Sequence, residues 1–426
     1  MLTVAYLANV FPCTVEPYVA EEIAELRARG VRVIAGSVKR PRAEGTVDSP
    51  EIVLQLVDLV TIVRAAGMML SEWNRISPLI RRLIFQGREG ISQRIKALLH
   101  TLLGVLYAAH LSGRGVDHVH VHHGYFGSWI AMTAAQLLEI PFSMTLHGSD
   151  LLVHANYLDV KLAHCKTCFT VSEHNRRYIL DHYPMTDSRK VVVARLGVDV
   201  PDTFACEPTK GRTSRFTLIA VGRLHAVKNH SFLLRACAWL KDAGIDFECL
   251  IAGEGPERAH LEQLIQQLEL ERQVTLLGHV PRQQTASLYD RADVVVLTSR
   301  SEGIPLVLME AMSRGGIVLA PAITGIPELV THGVTGFLYE PGSMRGFVDR
   351  LCFIHSRLRA GHDQGDVKTG ERSQPPLDWV RYGAHVQVLR NFHRERNLCF
   401  FADQLLQRIT PRAENIPDEN LVLQQI

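Results

Sequence analysis

Val294-Val295-Val296-Leu297-Thr298 is an apolar run of strand length, and Ile317-Val318-Leu319-Ala320 is another. Between them Leu306-Val307-Leu308-Met309-Glu310-Ala311-Met312 reads as a helix, entered through Ser301-Glu302-Gly303-Ile304-Pro305. Strand, helix and strand joined by short turns form a parallel unit with a covering helix. Two glutamates, Glu302 and Glu310, bracket residues that are otherwise apolar or backbone breakers. A run that is oily on every side belongs in an interior, and Glu310 lies within it. A carboxylate there is costly unless something hydrogen-bonds it. Pro305 suits a first helical turn, where its missing donor costs nothing. The backbone amides around Ile304 to Leu306 then point outward and favour an anion. The local reading is an anion or polyhydroxyl site with one carboxylate at its lip and another along the helix.

The same alternation runs through the chain and predicts parallel sheets with covering helices. Strands are expected at Leu2–Ala8, Val31–Ser37, His118–His122, Phe142–Leu146, Thr167–Val171 and Val191–Ala194. A second set follows at Phe216–Val221, Phe247–Ala252, Val274–Leu277, Val294–Thr298, Ile317–Ala320 and Gly336–Tyr339. Helices fit between them, among them Glu16–Arg29, Ser128–Leu138 and Glu173–His182, with two more at Trp379–Arg390 and Asn391–Arg408. Val200 to Ser214 is polar and turn-rich and reads as the linker. Arg359 to Pro376 reads as a loop. At 426 residues the chain exceeds one ordinary core. The expected division is a domain 1–205, a domain 206–385, a helical segment 386–410 that crosses back, and a tail 411–426.

A net charge of +2 gives no reason to expect nucleic acid as a partner. No basic leader with an apolar run precedes Leu2–Leu7, so the eight cysteines read as reduced thiols of a cytoplasmic protein. Ile52–Leu70 is interrupted by Asp58 and Arg64 and is too broken to span a bilayer. Arg75 to Lys96 carries Arg81, Arg82, Arg88 and Arg94 among apolar residues. It reads either as a helix pair with its charges in water or as a peripheral contact with an anionic membrane surface.

Gly222-Arg223-Leu224, with Lys228 beyond it, follows a strand. A guanidinium fork and an ammonium point charge at such a turn suit a diphosphate, although exposed loop cations are common. Gly253-Glu254-Gly255 begins a dinucleotide fingerprint, but Arg258 stands where the third glycine belongs, and Asn9-Val10-Phe11-Pro12 replaces a glycine loop after the first strand. A nicotinamide or flavin enzyme is disfavoured. His147-Gly148-Ser149-Asp150 follows a strand; His147 is placed to bond a ligand hydroxyl or act in catalysis, and the same stretch can cap the next helix. His118, His120 and His122 share one strand face. No carboxylate or cysteine lies near them in sequence to complete a metal site, so they read as lining a polar cleft. Cys165 and Cys168 form a single pair without a second, and read as packing.

The succession Gly222-Arg223-Leu224…Lys228-Asn229, Gly253-Glu254-Gly255-Pro256, Ser301-Glu302-Gly303…Glu310-Ala311-Met312, Gly325-Ile326-Pro327-Glu328 and Gly333-Val334-Thr335-Gly336 resembles the C-terminal domain of the family 4 retaining glycosyltransferases. Pro12–Leu26, His120–His122, Ile140-Pro141-Phe142 and His147–Asp150, with Gly303-Ile304-Pro305, resemble the exopolysaccharide and colanic-acid subgroup. The resemblance implies a GT-B fold, two Rossmann-like parallel-sheet domains facing across a cleft. It implies transfer of a hexose from a nucleotide-diphosphate sugar to a glycan or polyprenyl-diphosphate-linked acceptor, without a metal or other cofactor. Arg223 and Lys228 would hold the diphosphate, Glu310 the ribose, and Glu302 the sugar with Gly303, Ile304, Pro305 and Leu306 beside it. Gly222, Glu254, His279 and Val280 would border the donor, and His147 would reach the sugar. His120, His122 and Glu16 would lie on the acceptor side. Arg314-Gly315-Gly316 and Asn9–Thr14 depart from the family pattern. A catalytically silent nucleotide-sugar-binding scaffold is the alternative, against which the retention of Arg223, Lys228, Glu302 and Glu310 together argues.

Overall fold

The strand and helix pattern resolves into two parallel sheets in the computed structural model, which describes residues 1–13, 16–41, 49–56, 58–86, 89–201, 215–359 and 376–409. Apart from their edges, the expected linker, the 359–376 loop and the tail lie outside these residues. The first sheet comprises β1 (Thr3–Val10), β2 (Arg32–Lys39), β3 (Ile52–Val53), β4 (His118–His122), β5 (Phe142–Leu146), β6 (Thr167–Thr170) and β7 (Val191–Val193), in the order β3-β2-β1-β4-β5-β6-β7. The second comprises β8 (Phe216–Val221), β9 (Phe247–Ala252), β10 (Val274–Gly278), β11 (Val294–Val296), β12 (Val318–Pro321) and β13 (Phe337–Tyr339), in the order β10-β9-β8-β11-β12-β13. β3 was not expected; it is a two-residue edge strand paired through Gly36 and Ser37, too short to show an alternation.

Each sheet is covered on both faces, as parallel sheets require. Along β1 the residues alternate, Ala5 and Leu7 packing into one core and Val4, Tyr6 and Ala8 into the other. The same coverage corrects the expectation for the histidine strand. His118, His120 and His122 do share a face, but all five residues of β4 are buried. The Arg394–Ile409 helix crosses to the first sheet and seals that face, with Phe401 5.4 Å from the His120 ring. Its path is fixed by Val198, whose amide donates to the Phe392 carbonyl (2.9 Å) and whose carbonyl accepts from Arg394 (3.0 Å). The preceding helix, Leu377–Asn391, runs unbroken through the domain boundary expected at 385.

Strand order reverses direction between β1 and β4 in one sheet and between β8 and β11 in the other. At such points the loops leaving the carboxyl ends diverge and open a crevice. His122, at the end of β4, and the turns after β8 and β11 carrying Arg223, Lys228 and Glu302 all lie there.

Candidate active site

The second sheet supplies one wall. The turn Gly222–Leu224 lies on the turn Gly253–Gly255: the Leu224 amide donates to the Glu254 carbonyl (2.9 Å), and a side chain on Gly253 would collide with the Gly222 carbonyl. This close approach holds Arg223 at the surface, exposed, its carbonyl accepting from the His225 amide (2.8 Å) and its guanidinium with no hydrogen bond or ion pair among the described residues. Lys228 lies 2.5 Å from Glu302, Nζ to Oε1, with both side chains mostly covered. The ammonium and carboxylate that were expected to hold different parts of a ligand thus hold each other. Glu302 is fixed further through its carbonyl, which accepts from the Thr324 hydroxyl at 2.5 Å.

The helix after this turn spans Leu306–Ser313, with Pro305 just before its first residue. Leu308 and Met309 make the first bonds back to the Pro305 carbonyl, which leaves the amides at the helix start outside the ladder. Ile304 and Pro305 are buried, while Gly303 and Leu306 are half-buried. Glu310 is half-buried too, not sealed in the core. Its carboxylate accepts from the Tyr289 hydroxyl at 2.9 Å. Glu254 is exposed and paired with Arg258 (2.9 Å), beside Gly278. His279 is exposed and Val280 half-buried on the turn that follows.

The first sheet supplies the opposite wall, built from buried ionisable groups. His123 sits between Glu16 (3.1 Å) and Asp150 (3.7 Å). Burial opposes charge on His123, but the two carboxylates outweigh it and raise its pKa to about 9. Burial likewise opposes charge on Asp150; His123 and the Gly124 amide (2.9 Å) prevail and hold it well below the usual carboxylate range. Asp150 also accepts from the Gly148 amide at 2.7 Å, so it folds the His147–Asp150 turn back on itself. Lys161, 1% exposed, donates to the carbonyls of Gly124 (2.7 Å), Tyr125 (3.1 Å) and Asn156 (2.7 Å). Burial brings its pKa down to about 7.

Beneath these groups runs a chain of contacts. Glu22 meets the Tyr6 hydroxyl and His122 Nε2 (2.9 Å), and His122 Nδ1 lies 3.0 Å from His147 Nε2. His120 is 0% exposed and bonded to Ser143 (2.7 Å) and Thr145 (3.2 Å), so it supports the floor and reaches no acceptor. His122 is buried one layer nearer the cleft, against His147. Glu22 is the carboxylate missing from the sequence neighbourhood of these imidazoles. The ligand atoms of Glu22, His120 and His122 lie within 4.8 Å of one another, but the ring nitrogens already have the partners just named.

The walls touch. A Cβ on Gly148 would stand 2.9 Å from the Gly303 amide, and one on Gly303 would run into the His147 carbonyl. Glu328 reaches from the second domain to the amides of Glu173 (3.0 Å) and His174 (2.7 Å) at the start of the Glu173–His182 helix, where a carboxylate is favoured. Burial opposes charge on Glu16, but His123 beside it and, more weakly, Arg223 of the other wall hold its pKa below the usual value. His147, Glu302, Lys228, Arg223 and Glu16 therefore border one cleft, and Glu310 stands on the helix that follows Glu302. Glu22, Lys161 and Glu328 were not foreseen as parts of it. Glu22 had a signal: with Val19, Ile23 and Leu26 it occupies the buried stripe of its helix.

Two Rossmann-like parallel sheets whose carboxyl ends meet across a cleft define the GT-B architecture. The chain superposes on the sucrose-phosphate synthase of Thermosynechococcus elongatus with a TM-score of 0.69 at 17% identity, covering 96% of this chain and 99% of that one. It superposes on HepE of Anabaena, crystallised with UDP, with a TM-score of 0.65 at 18% identity, covering 96% and 100%. Residues 15–201 match the family model described as Glycosyltransferase Family 4, and residues 207–356 match that described as Glycosyl transferases group 1. The chain belongs to these glycosyltransferase families, one domain after the other. It is 36% identical over 169 residues to the putative colanic acid biosynthesis glycosyltransferase WcaL of Escherichia coli (strain K12), covering 38% of this chain and 41% of the relative. To the amylovoran biosynthesis glycosyltransferase AmsK of Erwinia amylovora it is 32% identical over 214 residues, covering 49% and 51%. The matched stretches thus span about half or less of these two relatives.

Proposed function

We propose that this chain is a retaining hexosyltransferase. It moves a hexose from a nucleotide-diphosphate sugar to a glycan or polyprenyl-diphosphate-linked acceptor in the synthesis of an exopolysaccharide or related surface polymer. The observation that carries the reading is the placement of Arg223 and the Lys228–Glu302 pair opposite His147, where the two domains touch. Breaking a sugar–phosphate bond leaves negative charge on the diphosphate. Arg223 is open to receive it, and Lys228 can share its charge between the phosphate and Glu302. Fixed cations of this kind are worth about 3–4 kcal/mol each in the transition state. Glu302 and Glu310 accept from sugar and ribose hydroxyls, and His147 bonds the sugar from the facing wall. Closure of the cleft keeps water from the donor. The diphosphate oxygen takes the acceptor proton on the same face, which retains the anomeric configuration and asks no separate base of the protein. The two cations supply the leaving-group stabilisation without a metal. Nuclear magnetic resonance of the product made from a defined donor tests this: an anomeric configuration matching the donor is expected, and inversion would refute retention. Donor-dependent transfer that survives in both Lys228→Ala and Glu310→Ala would remove the site assignment.

We also propose that the first domain rests on the anionic face of a membrane. Ile91, Ile95 and Leu99 form an exposed stripe along the Ile91–Leu111 helix, and Val60, Val63 and Phe85 are exposed on the helices before it. Residues 59–111 carry seven Lys or Arg against two Asp or Glu, in a chain whose net charge is only +2. An oily stripe with basic neighbours suits a surface that is apolar below and negative above. No helix among the described residues is long and apolar enough to cross a membrane. Co-sedimentation with vesicles containing phosphatidylglycerol, lost in Ile95→Glu/Leu99→Glu and at high salt, is expected. Equal binding to phosphatidylcholine alone, or a salt-independent dimer broken by the same substitutions, would assign the stripe to another partner.

A further inference from the structure

His147 and the chain of groups behind it have a defined hydrogen-bond polarity. A carboxylate only accepts, and Glu22 faces both the Tyr6 hydroxyl and His122 Nε2. Tyr6 therefore donates to Glu22, and His122 carries its proton on Nε2. A neutral imidazole with its hydrogen on Nε2 has a lone pair on Nδ1. That lone pair lies 3.0 Å from His147 Nε2, so the second ring must donate and in turn carries its proton on Nε2. The nitrogen left over is His147 Nδ1, which no described residue hydrogen-bonds. Both bonds run through the interior, with Glu22 4%, His122 2% and Tyr6 1% exposed, so water does not compete for them.

We infer that Glu22 and His122 are positioning residues that fix the tautomer of His147, so that its ring presents a hydrogen-bond acceptor, Nδ1, to the ligand. The ligand group selected is a donor, the hydroxyl of a sugar, rather than a carbonyl or phosphate oxygen, which could not donate. That identity rests on the proposed sugar transfer; the tautomer does not. His147 stays uncharged in this arrangement: burial above all, then the charge of His123, pushes its pKa well below the ordinary value. A neutral acceptor at this point also leaves the diphosphate to the cations of the opposite wall, which keeps the two ends of a donor in register. The carboxylate sets the direction of every bond in the chain. Both bonds end on one oxygen, Oε2; an amide that turns its nitrogen to that place puts an N–H against His122, which would move both ring protons to Nδ1 and turn His147 into a donor.

The test uses the full chain labelled with ¹⁵N and two-bond ¹H–¹⁵N correlation of its imidazoles, at neutral pH and without substrate. His147 is expected with its hydrogen on Nε2 in the wild type, and with hydrogen on Nδ1 appearing in Glu22→Gln and in His122→Phe. A wild-type ring protonated on Nδ1, or a tautomer unmoved by both substitutions in folded protein, would overturn the inference. Transfer rates provide the second reading. With donors whose sugar hydroxyls are removed one at a time, Glu22→Gln is expected to lose about tenfold in kcat/KM, the worth of about one hydrogen bond. That loss is expected to vanish for the one deoxy sugar lacking the contacted hydroxyl. A loss equal for all donors would mark Glu22 as merely structural. If no donor is turned over even by the wild type, the proposed activity fails, while the tautomer measurement still decides the inference.

Discussion

On the second-domain wall of the cleft Arg223, Lys228, Glu302 and Glu310 sit on turns at strand ends or one helix further on, and they stay within reach of water. On the first-domain wall Glu22, His122, Asp150 and Lys161 are buried, and their partners lie mostly far away in the chain: Glu22 and His122 are separated by 100 residues. The two walls face one cleft but divide its physics. One holds charge ready for a ligand, on Arg223 in open water and on the mostly covered Lys228–Glu302 pair. The other spends ionisable groups on holding loops in place, and each of those groups is costly if its partner is lost.

Substitutions on the two walls should therefore part into losses of turnover and losses of stability. Arg223→Ala is expected to lower sugar transfer by about 10² to 10³ while shifting stability by no more than about 1 kcal/mol; Lys228→Ala should lower transfer as much and cost more stability, because it leaves the mostly covered Glu302 without its partner. Transfer assays read beside thermal melts check this, and a melt that collapses with turnover would erase the contrast. Lys161→Met is expected to do the opposite. Three carbonyls, one buried and two partly buried, lose their donor, which costs about 3 kcal/mol. Urea unfolding should show that loss, and nucleotide binding to the folded fraction should survive.

The buried wall also predicts a pH window. His123 is raised in the folded chain to about 9, from about 6.5 in the unfolded one. Its contribution is then complete below about 6.5 and is lost as pH climbs through about 9, at most about 3 kcal/mol in all. Asp150 and Glu16 are lowered, so theirs is present above the unfolded carboxylate range and lost as pH falls below it. Lys161, lowered on folding, works the other way and favours the folded chain as pH rises above about 7, so the readout is the difference between wild type and His123→Gln: from pH 6 to pH 10 the wild type's advantage should shrink, and parallel curves would refute the assignment. The smallest effect is expected at Tyr289→Phe. Removing a single hydroxyl from Glu310 should cost about 1 kcal/mol or less, with a matching change of up to tenfold in nucleoside-diphosphate affinity by calorimetry.

This contrast also explains what could be read from the chain. Strands such as Phe216–Val221, Phe247–Ala252 and His118–His122 coincide with the expected elements, because an apolar run bounded by turn residues is a local signal. Most of the second-domain wall was legible for the same reason: Arg223, Lys228 and Glu302 each follow a strand within a few positions, and the strand end tells where they lie. Glu302 next to Lys228 was not, since the two are 74 positions apart and only the closeness of β8 and β11 unites them. The histidine strand misled because alternation reveals which residues share a face, while a helix arriving from Arg394–Ile409 decides whether that face meets water. Glu22 and Lys161 were readable in principle. Each stands at a buried position of an otherwise apolar helical stripe, where a charge asks for a partner that the sequence alone cannot supply.

The meeting of Gly148 and Gly303 sets the gauge between the two domains. Peptide plane lies against peptide plane there, with no room for even one methyl group, so the spacing of the tracks is fixed by backbone thickness. Side chains along the cleft can change through mutation and alter what is held, without altering how far apart the holders stand. An alanine at either glycine would be a shim, widening the gauge along its whole length and parting Glu328 from the helix it caps. Two residues with no side chain thus calibrate a site that is otherwise made of side chains.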